Sequence, residues 1–193
     1  MGSHFFAMMS RMRYIERWAL MRNAYSENIS EHSLEVSMIA HALAIISNKR
    51  YGGNLDASKA ALIALYHDAT EIITGDMPTP IKYYNRDLEG AFKQIEENAA
   101  NKLIHMLPED LREEYQGIFF PAAGEEYLWK LVKAADRISA LIKCIEEKKA
   151  GNYEFESAKA TIEKSIQEMN LPEVNVFMDE FLPSYFKTLD ELQ

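Results

Sequence analysis

His32 falls on the same helical stripe as Val36, Ile39 and Leu43, which aims its imidazole into a core where an unpaired ring nitrogen costs free energy. His67 and Asp68 are adjacent inside the most apolar run of the chain, Ala60-Ala61-Leu62-Ile63-Ala64-Leu65-Tyr66-His67-Asp68-Ala69. A buried carboxylate in such a run requires a cation or several hydrogen bonds. On a regular helix Asp68 lies ~100° round from His67, and Glu71 lies one turn beyond His67, so the three line one edge. Imidazole nitrogen with carboxylate oxygen suits a borderline divalent ion such as Mn, Fe, Co, Ni or Zn. A His and a His-Asp pair leave such an ion under-coordinated. The best further ligand is Asp136, in Lys133-Ala134-Ala135-Asp136-Arg137-Ile138-Ser139-Ala140. A lone histidine on an amphipathic helix is more often packing or surface, and it is the shared setting that sets these apart.

The elements that must position these groups read as all-α. Gly and Pro are scarce, 8 and 6, and fall between segments whose apolar residues recur at three and four. The first long helix covers residues 30–47, with Asn28 and Glu31 forming a capping box and Gly52-Gly53 after its end. A second follows Asp56 as N-cap and runs through Leu62, Leu65 and Tyr66 to Gly75. Two prolines then keep Asp76-Met77-Pro78-Thr79-Pro80 extended. Further helices are expected over 86–106, with Leu88, Phe92, Ile95, Ala99 and Leu103 buried, and over 109–116 and 125–150. That last one carries Leu128, Val132, Ala135, Ser139, Ile142 and Ile145 on one face. Two more span 154–169 and residues from 173 until Pro183. No repeat or linker divides the chain, so one domain over 1–193 is expected, with a metal-binding core at about 28–145 and C-terminal helices over 154–192 packed on it.

Composition narrows the partners. The 193 residues carry a net charge of -9, which disfavours a nucleic acid polymer while leaving room for a small anion in a local pocket. No stretch approaches the roughly 20 apolar residues of a membrane span. Cys144 has no partner for an internal disulfide, and no signal peptide pattern is present, so the cytoplasm is the expected location.

His32, then His67-Asp68, then Asp136, on three helices and in that order, resembles the H…HD…D signature of the HD-domain metal-dependent phosphohydrolases, which are helical bundles. The resemblance narrows over the first ~85 residues. Ser3-His4-Phe5-Phe6, Arg17-Trp18, Leu20-Met21-Arg22-Asn23, Glu27-Asn28, Ser30-Glu31-His32-Ser33, Tyr66-His67-Asp68-Ala69, Glu71, Thr74-Gly75-Asp76 and Pro78-Thr79-Pro80 are similar to the bacterial 5'-deoxynucleotidases. No motif position departs from that pattern; beyond it the resemblance rests on Asp136, length and helix pattern.

What the resemblance implies is removal of phosphate from 2'-deoxyribonucleoside 5'-monophosphates, with selection against ribonucleotides. It implies a divalent ion, Co²⁺ or Mn²⁺, on His32, His67, Asp68 and Asp136, with His32, Asp68 and Asp136 also facing the substrate. Glu71 is implied as general acid/base, against a plainer reading as a carboxylate that orients a ligand histidine. Arg17 would grip phosphate through its planar fork and orient it for attack, where in isolation it reads as a solvated surface group. Trp18 would wall off a 2'-hydroxyl, and Asp76 would accept a hydrogen bond from the 3'-hydroxyl, with Met77, Pro78 and Thr79 beside it. A homodimer is implied as well. Rival readings keep the bundle and give it either another nucleotide as substrate (a deoxynucleoside triphosphate, a cyclic nucleotide or an alarmone) or a non-catalytic role as a nucleotide sensor. A triphosphate grip calls for more Arg and Lys than this acidic chain supplies, and a pure sensor has no need of all four ligands plus Glu71.

Overall fold

The computed structural model describes residues 2–82 and 84–193, and for Thr79 the backbone alone. In chain order it has α1 (Phe5–Met9), a 3-10 turn over Ser10–Tyr14, α2 (Ile29–Arg50), α3 (Ala57–Tyr66), α4 (Glu71–Thr74), α5 (Thr79–Lys82) and α6 (Arg86–His105). Then come α7 (Arg112–Phe119), α8 (Glu126–Lys149), α9 (Glu156–Glu168) and α10 (Pro172–Glu180), with 3-10 turns over Glu109–Leu111, Leu182–Phe186 and Leu189–Leu192. Among the described residues the only β pairing is an isolated antiparallel bridge, Glu16 with Asn28. The all-α expectation holds.

α2 starts where it does because the Asn28 side chain accepts from the Ser30 and Glu31 N–H groups at 3.0 and 3.1 Å, while Glu31 reaches back to the Asn28 N–H. Asp56 caps α3 through the Lys59 N–H, and Asn85 caps α6 through that of Leu88. α8 runs through the middle of the bundle, burying Leu131, Val132, Ala135, Ile138, Leu141, Ile142 and Ile145. Against it pack Val36, Ile39 and Leu43 of α2, Ala60, Ile63 and Ala64 of α3, Ile166 of α9, and Val174 and Phe177 of α10. Each fully buried Leu or Ile contributes about 1.5–3 kcal/mol, so this seam holds the three helices that carry the histidines and Asp136. A second cluster, Phe5, Ala69, Leu103 and Leu107 with Tyr66, Tyr115 and Phe119 around it, fixes α1, α6 and α7 to the turn that follows α3.

Three expectations need correction. The helix expected from Asp56 to Gly75 is broken: α3 ends at Tyr66 and α4 begins at Glu71. Ala69, Glu71 and Ile72 donate to the carbonyls three residues back, Tyr66, Asp68 and Ala69, which winds the His67–Thr70 turn more tightly than an α-helix. The buried face of α3 is Ala60, Ile63 and Ala64, whereas Leu62 and Leu65 are exposed; the two alanines let α3 approach α2 closely, where Ser37 Oγ donates to the Ala61 carbonyl at 2.9 Å. On α6, Leu88 and Ile95 are exposed, because only its C-terminal part enters the second cluster. The extended segment also stops at Pro78. Thr79–Lys82 forms one helical turn, where Pro80 falls in the first turn and its missing N–H costs nothing.

The loop over residues 15–28 has no core of its own, and buried charge holds it. Glu147 of α8, fully buried, accepts from the Ala24 and Tyr25 N–H groups at 2.8 and 3.2 Å, from Lys143 Nζ at 2.5 Å and from Asn152 Nδ2 at 2.6 Å. Lys143 Nζ also donates to the Tyr25 carbonyl, and Asn152 Nδ2 to that of Arg22. Burial raises the Glu147 carboxyl, but these donors outweigh it and bring it down to about 2, so it is charged and fully engaged.

Candidate active site

α2, the turn after α3, and α8 converge on one point. His32 Nε2 lies 3.0 Å from Asp136 Oδ1 and 3.5 Å from Asp68 Oδ2. His67 Nε2 lies 3.2 Å from Asp68 Oδ2 and 4.0 Å from Asp136 Oδ1. One ligand atom each from His32, His67 and Asp68 falls within 4.8 Å of the other two, the spacing of donors around one ion. Asp136 joins them through His32. The structure thus brings together all four residues singled out as ligands.

Both imidazoles are held by the nitrogen that faces away from this point. His67 Nδ1 donates to the Ala64 carbonyl at 2.7 Å, which leaves its Nε2 toward the cluster, buried and without a hydrogen-bond partner among the described residues. His32 Nδ1 lies 3.0 Å from Ser139 Oγ, whose hydroxyl donates to Glu35 Oε2 at 2.6 Å. Burial, then the charge of Arg17, lowers the His32 ring and keeps it neutral, the form that ligates metal. For Asp136 burial works upward, but the close imidazole nitrogen of His32 and the charge of Arg17 outweigh it and lower its carboxyl.

Arg17 is not a solvated surface group. Its side chain is 12% exposed, and Nη1 donates to Glu27 Oε2 at 2.8 Å. The Trp18 indole Nε1 donates to the same oxygen at 3.1 Å, and the Trp18 ring meets Phe155 edge-on at 5.3 Å. Trp18 has φ +58°, a conformation that costs a bulky residue about 1–3 kcal/mol and persists only where its surroundings insist on it. Here they do: the Arg17 N–H is tied to the Glu27 carbonyl, and the Trp18 carbonyl accepts from the Met21 N–H and from Asn23 Nδ2. Asp76 is close enough to Arg17 to feel its charge; burial pushes its carboxyl up against that pull. Met77 and Pro78 are half-buried beside it, and the Thr79 side chain lies outside the described residues.

Glu71 opens α4 at the edge of the cluster, with Oε2 buried and without a partner among the described residues. Burial, then the charges of Asp68 and Asp76, raises its carboxyl to about 10, against the pull of Arg17 and Lys82. The pocket therefore gathers Asp68, Asp76, Asp136 and Glu27 around Arg17, with an imidazole lone pair and a carboxyl oxygen unpartnered. This donor set, two imidazole nitrogens and carboxylate oxygens with excess negative charge, fits a divalent cation.

Several residues of the site carry no sequence signal of their own. Glu27 stands out only through the resemblance, which gives it no role, yet it sets both Arg17 and Trp18. Glu35 and Ser139 have no functional mark in the sequence, because their partners lie more than 100 residues away, and Lys143-Glu147 reads as an ordinary i,i+4 pair until the loop that it anchors, also more than 100 residues away, is seen.

Folds of this kind recur among solved structures. An HD-domain phosphohydrolase from Listeria innocua superposes with a TM-score of 0.82, covering 94% of this chain and 88% of that one at 22% identity. The HD phosphohydrolase DatZ of cyanophage S-2L, solved with dA and one catalytic Zn²⁺ ion, superposes with a TM-score of 0.63 at 21% identity, covering 94% and 96%. The class is thus the all-α HD-domain phosphohydrolase fold. Within it, residues 4–185 match the model of the YfbR-like 5'-deoxynucleotidases, and this chain belongs to that family. It is 50% identical over 190 residues to a 5'-deoxynucleotidase of Pectobacterium atrosepticum, covering 98% of this chain and 96% of that protein. A 5'-deoxynucleotidase of Vibrio parahaemolyticus is 47% identical over 98% of both chains.

Proposed function

We propose that this chain is a metal-dependent 5'-deoxynucleotidase that hydrolyses 2'-deoxyribonucleoside 5'-monophosphates to deoxynucleoside and phosphate. The observation that carries the reading is the His32-His67-Asp68 cluster within electrostatic reach of a guanidinium that, with a neighbouring indole, is set by a single carboxylate oxygen. His32, His67, Asp68 and Asp136 are the residues that would hold a divalent ion, Co²⁺ or Mn²⁺. When bound, such an ion supplies positive charge to a phosphate oxygen and makes water a better nucleophile at neutral pH.

The chain's own side chains do the rest. Arg17 commits one N–H to Glu27 and has others for phosphate oxygens, so the fork is aimed before substrate arrives. Glu71, a carboxyl whose proton affinity is raised by burial and by Asp68 and Asp76, is suited to exchanging a proton with the attacking water or the departing 5'-oxygen. Trp18, clamped between Glu27 and Phe155, is a rigid wall at which a ribose 2'-hydroxyl clashes while deoxyribose fits. Asp76 accepts the 3'-hydroxyl, with the Met77-Pro78-Thr79 backbone alongside. No residue of this set is committed to reading the base.

We further propose one domain over residues 1–193 and a homodimer. The latter is supported by the exposed apolar stripe Leu34, Met38 and Ile45 on α2 and is checked by sedimentation. Among the described residues no helix is long and apolar enough to cross a membrane, and a cytoplasmic location is proposed from the sequence pattern alone. The test of function is phosphate release from dAMP and AMP, side by side, on metal-stripped protein resupplied separately with Co²⁺, Mn²⁺, Mg²⁺ and Zn²⁺. Release from dAMP that depends on metal, with little from AMP, is expected. Equal rates would discard the role given to Trp18, and silence with every ion would refute the activity.

A further inference from the structure

We infer that Glu35 is a positioning residue for the metal centre, acting on His32 through Ser139; this rests on the reading of His32 as a metal ligand. The two ligand histidines present the same nitrogen, Nε2, to the cluster, yet they are held in that tautomer by different means. His67 Nδ1 faces the Ala64 carbonyl at 2.7 Å, and a carbonyl only accepts, so Nδ1 must carry the hydrogen. His32 Nδ1 faces Ser139 Oγ at 3.0 Å, and a hydroxyl can either donate or accept. Were the hydroxyl to donate to Nδ1, the hydrogen of a neutral ring would sit on Nε2, where Asp136 Oδ1 at 3.0 Å would accept it and the ring could not ligate.

What decides between the two is the far side of the hydroxyl. Ser139 has one hydrogen, and it goes to Glu35 Oε2 at 2.6 Å, so only a lone pair remains for His32. Ser139 is fully buried and His32 1% exposed, so neither can turn to water instead. The carboxylate thus fixes the tautomer two hydrogen bonds away and, through the same chain, makes the ring a stronger donor to a cation. Glu35 sits one helical turn after His32 on α2, borders a cavity of about 560 Å³ shared with Met38 and Phe177 on its other side, and is hydrogen-bonded toward the cluster through Ser139.

The test is titration of the metal-stripped protein with Co²⁺ followed by visible absorbance, with nitrogen NMR of the His32 ring before metal is added. The variants are E35Q, S139A, the double variant, and M38A as a control bordering the same cavity. In E35Q the amide can donate to Ser139 and turn its hydroxyl toward Nδ1. Co²⁺ affinity is then expected to fall about 10–100-fold, with the His32 hydrogen moving toward Nε2. S139A should weaken binding comparably, the double variant no more than S139A alone, and M38A by less than twofold; the melting temperatures of the metal-free proteins report that all four fold. E35Q within twofold of wild type, losses that multiply in the double variant, or an equal loss in M38A would overturn the relay. A wild-type protein that binds no Co²⁺ would instead refute the metal site itself, and the relay with it.

Discussion

Replacing Glu71 with Gln should stabilise the metal-free protein while abolishing turnover. In that form the Glu71 carboxyl is raised from 4.5 to about 10 by burial and by Asp68 and Asp76, so the folded state keeps a proton that the unfolded chain releases above pH 4.5. The folded state binds more protons, so stability is full below pH 4.5 and is lost progressively as the pH rises toward 10. At 1.36 kcal/mol per pH unit, the loss between pH 5 and pH 7 is about 3 kcal/mol if the corner stays dry, and about 1 kcal/mol if water enters to solvate the anion. Gln has the same shape and does not titrate. Urea unfolding of metal-stripped wild type and E71Q at both pH values isolates the effect as a double difference, since Glu35 and Asp76 titrate in both proteins. At pH 7 the variant should be more stable by about 1–3 kcal/mol, or about 3–10 °C in Tm, and at pH 5 by little. A bound cation should erase most of the gap by favouring ionised Glu71 in wild type. Parallel pH profiles would refute the account of this corner. Retained phosphate release by E71Q would remove Glu71 from the mechanism.

Glu27→Gln should lower kcat/KM about 10–100-fold with metal affinity unchanged, because one charge-assisted acceptor sets both Arg17 and Trp18; steady-state kinetics with dAMP check this. Trp18→Ala should narrow the ratio of dAMP to AMP turnover, and an unchanged ratio would mean that the sugar is read elsewhere. Asp68→Ala should empty the metal site, and a stoichiometric ion in that variant, measured by elemental analysis, would contradict the ligand assignment. Lys143→Met should cost about 3–5 kcal/mol in urea unfolding, since it strips an ion-pair partner from the fully buried Glu147; a loss below about 1 kcal/mol would mean that the Ala24, Tyr25 and Asn152 donors suffice.

The parts of this architecture that are legible in the sequence are those written locally. Asn28 and Glu31 announce the start of α2, and five apolar positions and Ser139, three and four apart, announce the buried face of α8. His32 reads as buried because its stripe is intact, and His67-Asp68 reads as buried because of the apolar run before it. The break between α3 and α4 is not legible, since four residues of 3-10 turn and four of α-helix differ by a fraction of a turn and share one hydrophobic pattern. Nor is Arg17: whether an arginine in a polar loop is solvated or clamped depends on Glu27, ten residues on, and on a loop anchored by Glu147 more than 120 residues away. The same holds for Ser139, which reads as a small core residue in the α8 stripe until Glu35 and His32 are seen on either side of it.

Charge explains how a chain of net -9 can act on an anion. Without a cation the pocket holds Asp68, Asp76, Asp136 and Glu27 against Arg17, and a phosphate dianion entering it would meet more repulsion than attraction. Arg17 alone cannot reverse that sign, because Glu27 already neutralises much of it at 2.8 Å. A divalent ion on the two histidines and two aspartates cancels both carboxylates, leaves only Asp76 and Glu27 against Arg17, and would itself be the positive centre that meets the phosphate. Metal and substrate binding are therefore linked, each raising the affinity of the other by the same factor. The unpartnered His67 Nε2 and Glu71 Oε2 mark where the folded chain keeps polar atoms in reserve for that pair of ligands. The strain at Trp18 and the raised proton affinity of Glu71 follow the same logic: stability forgone so that the groups of the pocket are already aimed when cation and phosphate arrive.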